Sequence, residues 1–321
     1  MGRSARDPDL AAFVGSAHLG EAFVVVPRGG RPRLGYTTDM ERDEAAATGL
    51  ALLTPARLAE IAREASGETS GEMVEKWIAA LRDCGSEGGR LALAGTYPAG
   101  AMAAAADRLE RAGYRLLEFN ESLRLLRKQK TESERREMAR VATATCRALR
   151  AVAAGLAAAQ DAGHGLVLGG ERLTAGRLRG IVRDVFAAEG LEQPQGNIVS
   201  AGADTAVPHT QGSDHRTLRG GEAIIVDLYP KGGLYADCTR TFCVGPASEP
   251  LRRAHELVHA ALAEATAAVA PGGRAAALQE TACDRIEAAG WETQGSAPGT
   301  VRGYVHGLGR GGGCDLHALP A

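Results

Sequence analysis

The stretch 221–245, GEAIIVDLYPKGGLYADCTRTFCVG, limits what this chain can fold into more than any other. Ala223-Ile224-Ile225-Val226 is an unbroken apolar run with the length of a buried strand. Pro230-Lys231-Gly232-Gly233 carries turn chemistry. Residues 235–244 are rich in aromatic, Thr and Val side chains, which suit a half-buried pleated surface. The pattern predicts an antiparallel hairpin. A three-residue loop, Lys231-Gly232-Gly233 with Gly233 in the left-handed region, pairs Tyr229 with Tyr235 and Asp227 with Asp237. Directly opposed side chains have Cβ atoms about 4.5–5.5 Å apart. Two carboxylates that close repel and are costly to bury. A divalent cation that prefers carboxylate oxygen, such as Zn, Mn, Mg or Co, answers that repulsion. The residues alone leave a second possibility open, a hairpin end where both carboxylates are solvated.

Around this hairpin the chain alternates short strands and helices, which gives an α/β class. Residues 22–26 and 33–38 flank the turn Pro27-Arg28-Gly29-Gly30 and predict a hairpin. Residues 73–81 and 101–112 read as helices, and 91–94 and 115–117 as strands. None of these carries His, Cys or acidic residues at metal-ligand spacing, so this layer has a shaping role. The basic connector LRLLRKQK, 123–130, follows, and then a capping box from Thr131 to Glu134. Met138, Val141, Thr145, Leu149, Val152 and Leu156 then recur at three- and four-residue steps, the mark of a long helix with one buried face. The domain boundary falls near 128, giving domains 1–127 and 128–321. Further amphipathic helices are expected over 174–189, 251–270 and 274–289, closed by Gly190, Pro271-Gly272-Gly273 and Gly290.

Composition narrows the function. The chain has 321 residues, a 45% hydrophobic content and a net charge of -2, so a packed core is feasible and a bulk nucleic-acid or membrane-surface role is not favoured. No apolar run follows Met1-Gly2-Arg3 and none reaches the roughly 20 residues of a membrane helix. Six scattered cysteines without a C-x-x-C pair fit a reduced, cytoplasmic chain. The abundance of Ala, Gly and Arg suggests a GC-rich bacterial gene.

One helical stretch competes for metal. His255-Glu256-Leu257-Val258-His259 is H-E-x-x-H, in which two His at i and i+4 can reach one zinc with Glu256 as general base. A zincin-type protease, with Glu280 as an imagined third ligand, is therefore an alternative. His and Glu on an exposed helix face is the plainer account.

Asp227 followed by Asp237-Cys238-Thr239-Arg240-Thr241 resembles the D…D-x-T-R-T hairpin of the pita-bread metallopeptidases, the Xaa-Pro aminopeptidase, prolidase and creatinase branch, with an interval one residue shorter. Val199-Ser200-Ala201-Gly202 with Pro208-His209, and His306-Gly307-Leu308-Gly309 with His317, resemble that family's other site segments. The resemblance implies a small creatinase-like N-terminal α/β domain followed by a pita-bread (α+β) domain. It implies Asp227 and Asp237 as ligands of two divalent metal ions (Mn, Co or Zn), and His209, His306 and His317 as catalytic residues that hold substrate and handle protons. It also implies a small peptide substrate with proline second, and a homodimer. His18, His164 and His215 match nothing in the family and read as surface residues.

Besides the shortened interval, the chain departs from the family in three places. Arg310 stands where the family has a metal-binding His, and a guanidinium cannot coordinate a metal. Ala318 stands where an acid is usual, and two Glu ligands of the family lie on strands beyond Ala321. On this reading the pita-bread domain is C-terminally truncated and incomplete. Arg310 then either forks onto Asp227 or Asp237 in place of the metal charge, or lies on a loose Gly-rich tail. An inactive relative that serves as a peptide- or protein-binding module is the alternative to a working peptidase. The Gly run 311–313 is no phosphate loop, since no Gly-Lys-Ser/Thr follows it.

Overall fold

The computed structural model describes residues 7–15, 17–66, 73–207, 209–298, 303–309 and 312–314. The chain divides into two compact units, Met1–Gln129 and Lys130–Ala321.

The first unit is an α/β layer. β1 (Ala22–Val25) pairs antiparallel with β2 (Arg33–Tyr36), which pairs parallel with β3 (Ala51–Leu53). β4 (Gly89–Leu93) and β5 (Tyr114–Glu118) form a separate parallel pair. Among the described residues six helices accompany them: α1 (Pro8–Val14), α2 (Arg42–Ala47), α3 (Pro55–Ser66), α4 (Met73–Asp83), α5 (Ala99–Arg111) and α6 (Asn120–Leu126). The expected hairpin, helices 73–81 and 101–112, and strands near 91 and 115 are all present. β3, at three residues, and the short helices α1, α2 and α6 fall below the length at which periodicity is readable.

The second unit opens with α7 (Glu132–Ala157). Thr131 accepts from the amide of Glu134 at 3.3 Å while Glu134 accepts from the amide of Thr131 at 2.7 Å, so the capping box closes in both directions. Val141, Ala144, Thr145, Ala148, Leu149, Val152 and Leu156 are its buried stripe. β6 (Gln160–Asp161), β7 (Leu166–Leu168) and β8 (Glu171–Arg172) form a small antiparallel sheet, and α8 (Ala175–Ala188) follows. α8 buries Leu178, Val182 and Phe186 and is closed by Gly190 at φ 64°. β9 (Ile198–Ala201), β10 (Ile224–Leu228) and β11 (Cys238–Phe242) make an antiparallel sheet with β10 central.

Alternation along β10 explains how this sheet is used. Ile224, Val226 and Leu228 are buried and join the core that α7 and α8 cover. Each fully buried side chain of this kind contributes roughly 1.5–3 kcal/mol. Ile225 and Asp227 point to the other face. One face of the sheet is therefore a packed core, and the other presents Asp227.

The hairpin register differs from the expected one. Asp227 pairs with Thr239 and Leu228 with Cys238, and Lys231 bridges Tyr235. Asp227 does not pair with Asp237, and Tyr229 does not pair with Tyr235. The turn residues are Gly232-Gly233-Leu234, and neither glycine has positive φ. The glycines answer a different demand. A Cβ on Gly232 would lie 2.5 Å from Glu137 Oε1 and 2.9 Å from Val141 Cγ2 of α7. Close approach to that helix requires glycine at 232, and the turn sits one residue further along than expected, which moves the strand pairing by two.

α9 (Glu249–Ala267) and α10 (Ala275–Glu287) pack on each other through Ala261, Ala282 and Ile286, joined by Leu257, Tyr304 and Leu308. On α9, Val258 and Leu262 are exposed. Among the described residues no helix is long and apolar enough to cross a membrane.

Candidate metal and substrate site

The displaced register keeps the two aspartates on one face, because a shift of two residues preserves strand parity. Asp237 precedes β11, and the register continued past Cys238 makes the two diagonal neighbours, with Cβ atoms somewhat under about 7–8 Å apart. That spacing suits two carboxylates meeting at one ion, since metal–oxygen bonds are about 2.0–2.2 Å. Thr239 takes the place opposite Asp227 and donates its hydroxyl to Asp227 Oδ1 at 2.5 Å. This fixes the carboxylate rotamer. Tyr229 lies on the same face. Its phenol is pushed up chiefly by burial, and then by the carboxylates of Asp227 and Asp237, while Arg179 opposes them. Asp237 and Thr239 are exposed and Asp227 is half-buried, so the face is open to solvent.

The tip of the hairpin is anchored to α7. Glu137 Oε1 accepts from the amide of Gly233 at 2.8 Å. Arg140 holds the same carboxylate with Nε and Nη2 at 2.9 and 2.8 Å. Hydrogen bonding to Arg140 outweighs desolvation and keeps Glu137 below the usual carboxylate range, with help from the Gly233 amide. The backbone of Lys231 exchanges hydrogen bonds with Glu192, each at 2.9 Å.

His209 follows β9 and a 3₁₀ turn, Gly202–Ala206. It is the positive-φ non-glycine among the described residues, at φ 61°. His306 comes from a distant segment, anchored where Gln279 Oε1 of α10 accepts from the amide of Leu308 at 2.6 Å. The two imidazoles meet edge to face, with centroids 5.8 Å apart and planes at 82°. Both are exposed. Arg310, His317, Ala318 and Pro208 lie outside the described residues.

His255, Glu256 and His259 all lie on the exposed side of α9, with the imidazoles 6.4 Å apart and nearly parallel at 18°. Glu280 is exposed on α10. Among the described residues no group of three His, Cys, Asp or Glu stands ready for a metal. Asp227 and Asp237 therefore fit a hard divalent ion that keeps several waters. The described residues do not by themselves supply the five or so ligands of a two-metal centre. His18, His164 and His215 are exposed. The functional neighbours that sequence reading passes over are Thr239, Tyr229, Glu137 and Arg179. Strand parity alone places Thr239 and Tyr229 on the face of Asp227. Nothing local marks Glu137 or Arg179.

With this geometry in hand, comparison with known proteins assigns the class. The profile of metallopeptidase family M24 matches residues 136–321, and the chain belongs to that family, the pita-bread metallopeptidases. The Xaa-Pro dipeptidase of Pyrococcus furiosus is 32% identical over 144 residues, 43% of this chain and 38% of that protein. The Xaa-Pro dipeptidase of Lactobacillus delbrueckii subsp. lactis is 31% identical over 125 residues, 39% of this chain and 31% of that protein. The matches thus span less than two fifths of these curated relatives. Among solved structures, the prolidase from Pyrococcus furiosus superposes with a TM-score of 0.73 at 20% identity, covering 98% of this chain and 80% of that one. The X-Pro aminopeptidase from Thermotoga maritima gives 0.71 at 16% identity, covering 99% and 78%. The expected fold class, α/β with a pita-bread domain, holds.

Proposed function

We propose that this protein is a metal-dependent peptidase acting on small Xaa-Pro peptides, with Asp227 and Asp237 as metal ligands and His209, His306 and His317 on the substrate side. What carries the reading is the pair of carboxylates of Asp227 on β10 and Asp237 just before β11, both close enough to act on the Tyr229 phenol, with Thr239 bonded to Asp227. The Xaa-Pro dipeptidases named above supply the substrate class. A bound divalent ion, Mn, Co or Zn, would supply Lewis acidity and a water of lowered pKa. The residues of the chain do the rest. The two carboxylates hold the charge in place, and the hydroxyl of Thr239 keeps Asp227 aimed. The exposed imidazoles of His209 and His306 present ring nitrogens for a peptide carbonyl and for proton transfer. By the same proposal the boundary near 128 separates a shaping domain from a peptidase domain, and the chain works as a cytoplasmic homodimer with reduced cysteines.

The test is metal stoichiometry after Mn²⁺, Co²⁺ or Zn²⁺ loading, with Xaa-Pro dipeptide hydrolysis in the same samples, on the parent chain and on Asp227→Ala and His255→Ala. Loss of metal and turnover with Asp227→Ala alone supports the proposal. Loss with His255→Ala instead moves the metal to α9. Peptide binding without metal or turnover leaves a peptide-binding module, for which the shortage of described ligands is the favouring observation.

A further inference from the structure

Arg179 lies on α8, yet its guanidinium is spent on a segment far along the chain. Nη2 donates to the carbonyls of Val199 and Gly212, each at 3.2 Å, and Nη1 pairs with the carboxylate of Asp214. The side chain is only 16% exposed. Val199 sits on β9 just before the chain departs toward His209, and Gly212 is where it returns. The two strokes run close together. Gly212 has φ 72°, and a Cβ there would fall 2.5 Å from the oxygen of Val199. Two carbonyl oxygens directed into one place repel unless a cation stands between them, and the planar fork of an arginine can serve both at once. The amide of Gly176 on α8 adds a bond to the carbonyl of Asp214 at 3.1 Å.

The crown of this loop is where the chain adopts its costly conformation. A non-glycine side chain at φ 61° is uncommon and persists only where the surroundings over-determine it. The loop carries backbone bonds of its own, from the amide of Thr210 to the carbonyl of Val207 at 3.3 Å and from the amide of Val207 to the carbonyl of Asp204 at 3.1 Å, and a longer one at its base from the amide of Val199 to the carbonyl of Gln211 at 3.4 Å. The determination comes from the base of the loop, where α8 and β9 are both part of the core.

We infer that Arg179 is the positioning residue for His209: it closes the base of the 202–211 loop on β9, and so sets the imidazole edge-to-face against His306. Arg179 touches neither imidazole and acts only through the loop. The role inferred for His209 rests on the peptidase reading above, whereas the coupling of Arg179 to the His209–His306 contact does not. Lysine cannot replace it, because a single ammonium does not present the fork that serves two carbonyls and a carboxylate.

The experiment uses the full chain with isotope-labelled histidine, with Arg179→Met, Arg179→Lys and Asp214→Asn beside the parent and His306→Ala for assignment. Nuclear magnetic resonance reads the His209–His306 ring contact and ring-current shifts, and titration reads binding of the dipeptide Ala-Pro and of Mn²⁺. Arg179→Met and Arg179→Lys are expected to lose the ring contact and weaken Ala-Pro binding about tenfold or more, and Arg179→Lys, which keeps the positive charge, is expected to take up Mn²⁺ as the parent does. Asp214→Asn keeps both carbonyl bonds and is expected to retain the contact. Persistence of the contact in a folded Arg179→Met chain overturns the inference. If that variant does not fold, persistence in Arg179→Lys overturns it. Loss of Mn²⁺ binding along with the contact in Arg179→Lys also overturns it, since Arg179 would then govern the sheet rather than the loop. A parent chain that shows the contact but never binds Ala-Pro refutes the substrate role of His209 and leaves the ring-contact arm to decide on Arg179.

Discussion

The hydroxyl of Thr239 donates to Oδ1 of Asp227 at 2.5 Å, across the hairpin pair that the register makes of these two residues. It is the contact that turns a bare carboxylate on an open sheet face into an aimed one. Groups that orient a metal-binding side chain are worth roughly 10–100-fold in metal affinity. Thr239→Val keeps the shape and removes the donor. The expected outcome is weaker Mn²⁺ binding by about that factor with unchanged stoichiometry, read by titration calorimetry. Affinity equal to the parent's would show that Asp227 needs no such aim.

Gly232 is required by contact with α7 rather than by its own φ. Gly232→Ala puts a methyl 2.5 Å from Glu137 Oε1 and 2.6 Å from Arg140 Nη2. Both side chains can give way, and Val141 behind them is in the core. The expected cost is about 1–3 kcal/mol, measured by denaturant unfolding. Gly233→Ala, whose nearest neighbour would be the Glu137 Cγ at 3.4 Å, serves as the mild comparison.

Glu137 gives the hairpin tip a pH dependence. Its folded pKa is depressed, so the stability it contributes is fully present above its unfolded value of about 4.3 and is lost as pH falls through the folded value. Glu137→Gln is expected to destabilise by about 1 kcal/mol at neutral pH, a figure reduced for the partial exposure of the Arg140 pair. The difference from the parent narrows on acidification below pH 4. Unfolding curves of the two chains that stay parallel down to that pH would contradict this.

The H-E-x-x-H motif should be silent. His255, Glu256 and His259 are exposed on α9, and substitutions at such positions usually change stability by less than about 0.5 kcal/mol. His255→Ala is expected to leave unfolding midpoint and Xaa-Pro hydrolysis as they are. A drop in turnover would bring the helical zinc motif back.

By the motif resemblance in the sequence, Arg310 falls where a metal-binding His is expected, and a guanidinium does not ligate. Arg310→His adds an imidazole and removes a charge. Its expected effect is tighter Mn²⁺ or Zn²⁺ binding, provided that Asp227 is intact. An Arg310→His chain whose affinity matches the parent's would disconnect this position from the site.

The sequence alone determined the elements whose signals are local. The capping box at Thr131, the apolar steps of α7 and α8, the buried run of β10 and the turn at 230–234 all follow from propensity and period. So does the sharing of one face by Asp227 and Asp237, because parity survives a register shift of two. Tertiary structure decided what depends on contact between distant segments. The register moved because Gly232 must lie against α7, a helix nearly a hundred residues earlier. That movement put Thr239, not Asp237, opposite Asp227. His209 meets His306 because a loop clamped by Arg179 and a segment tied to Gln279 converge, and neither tie leaves a periodic trace. The H-E-x-x-H pattern is the converse case. Its local spacing is right for zinc, but on α9 its face turns to solvent with no third ligand among the described residues. Spacing along a chain fixes which side chains can share a face, while packing fixes what that face meets.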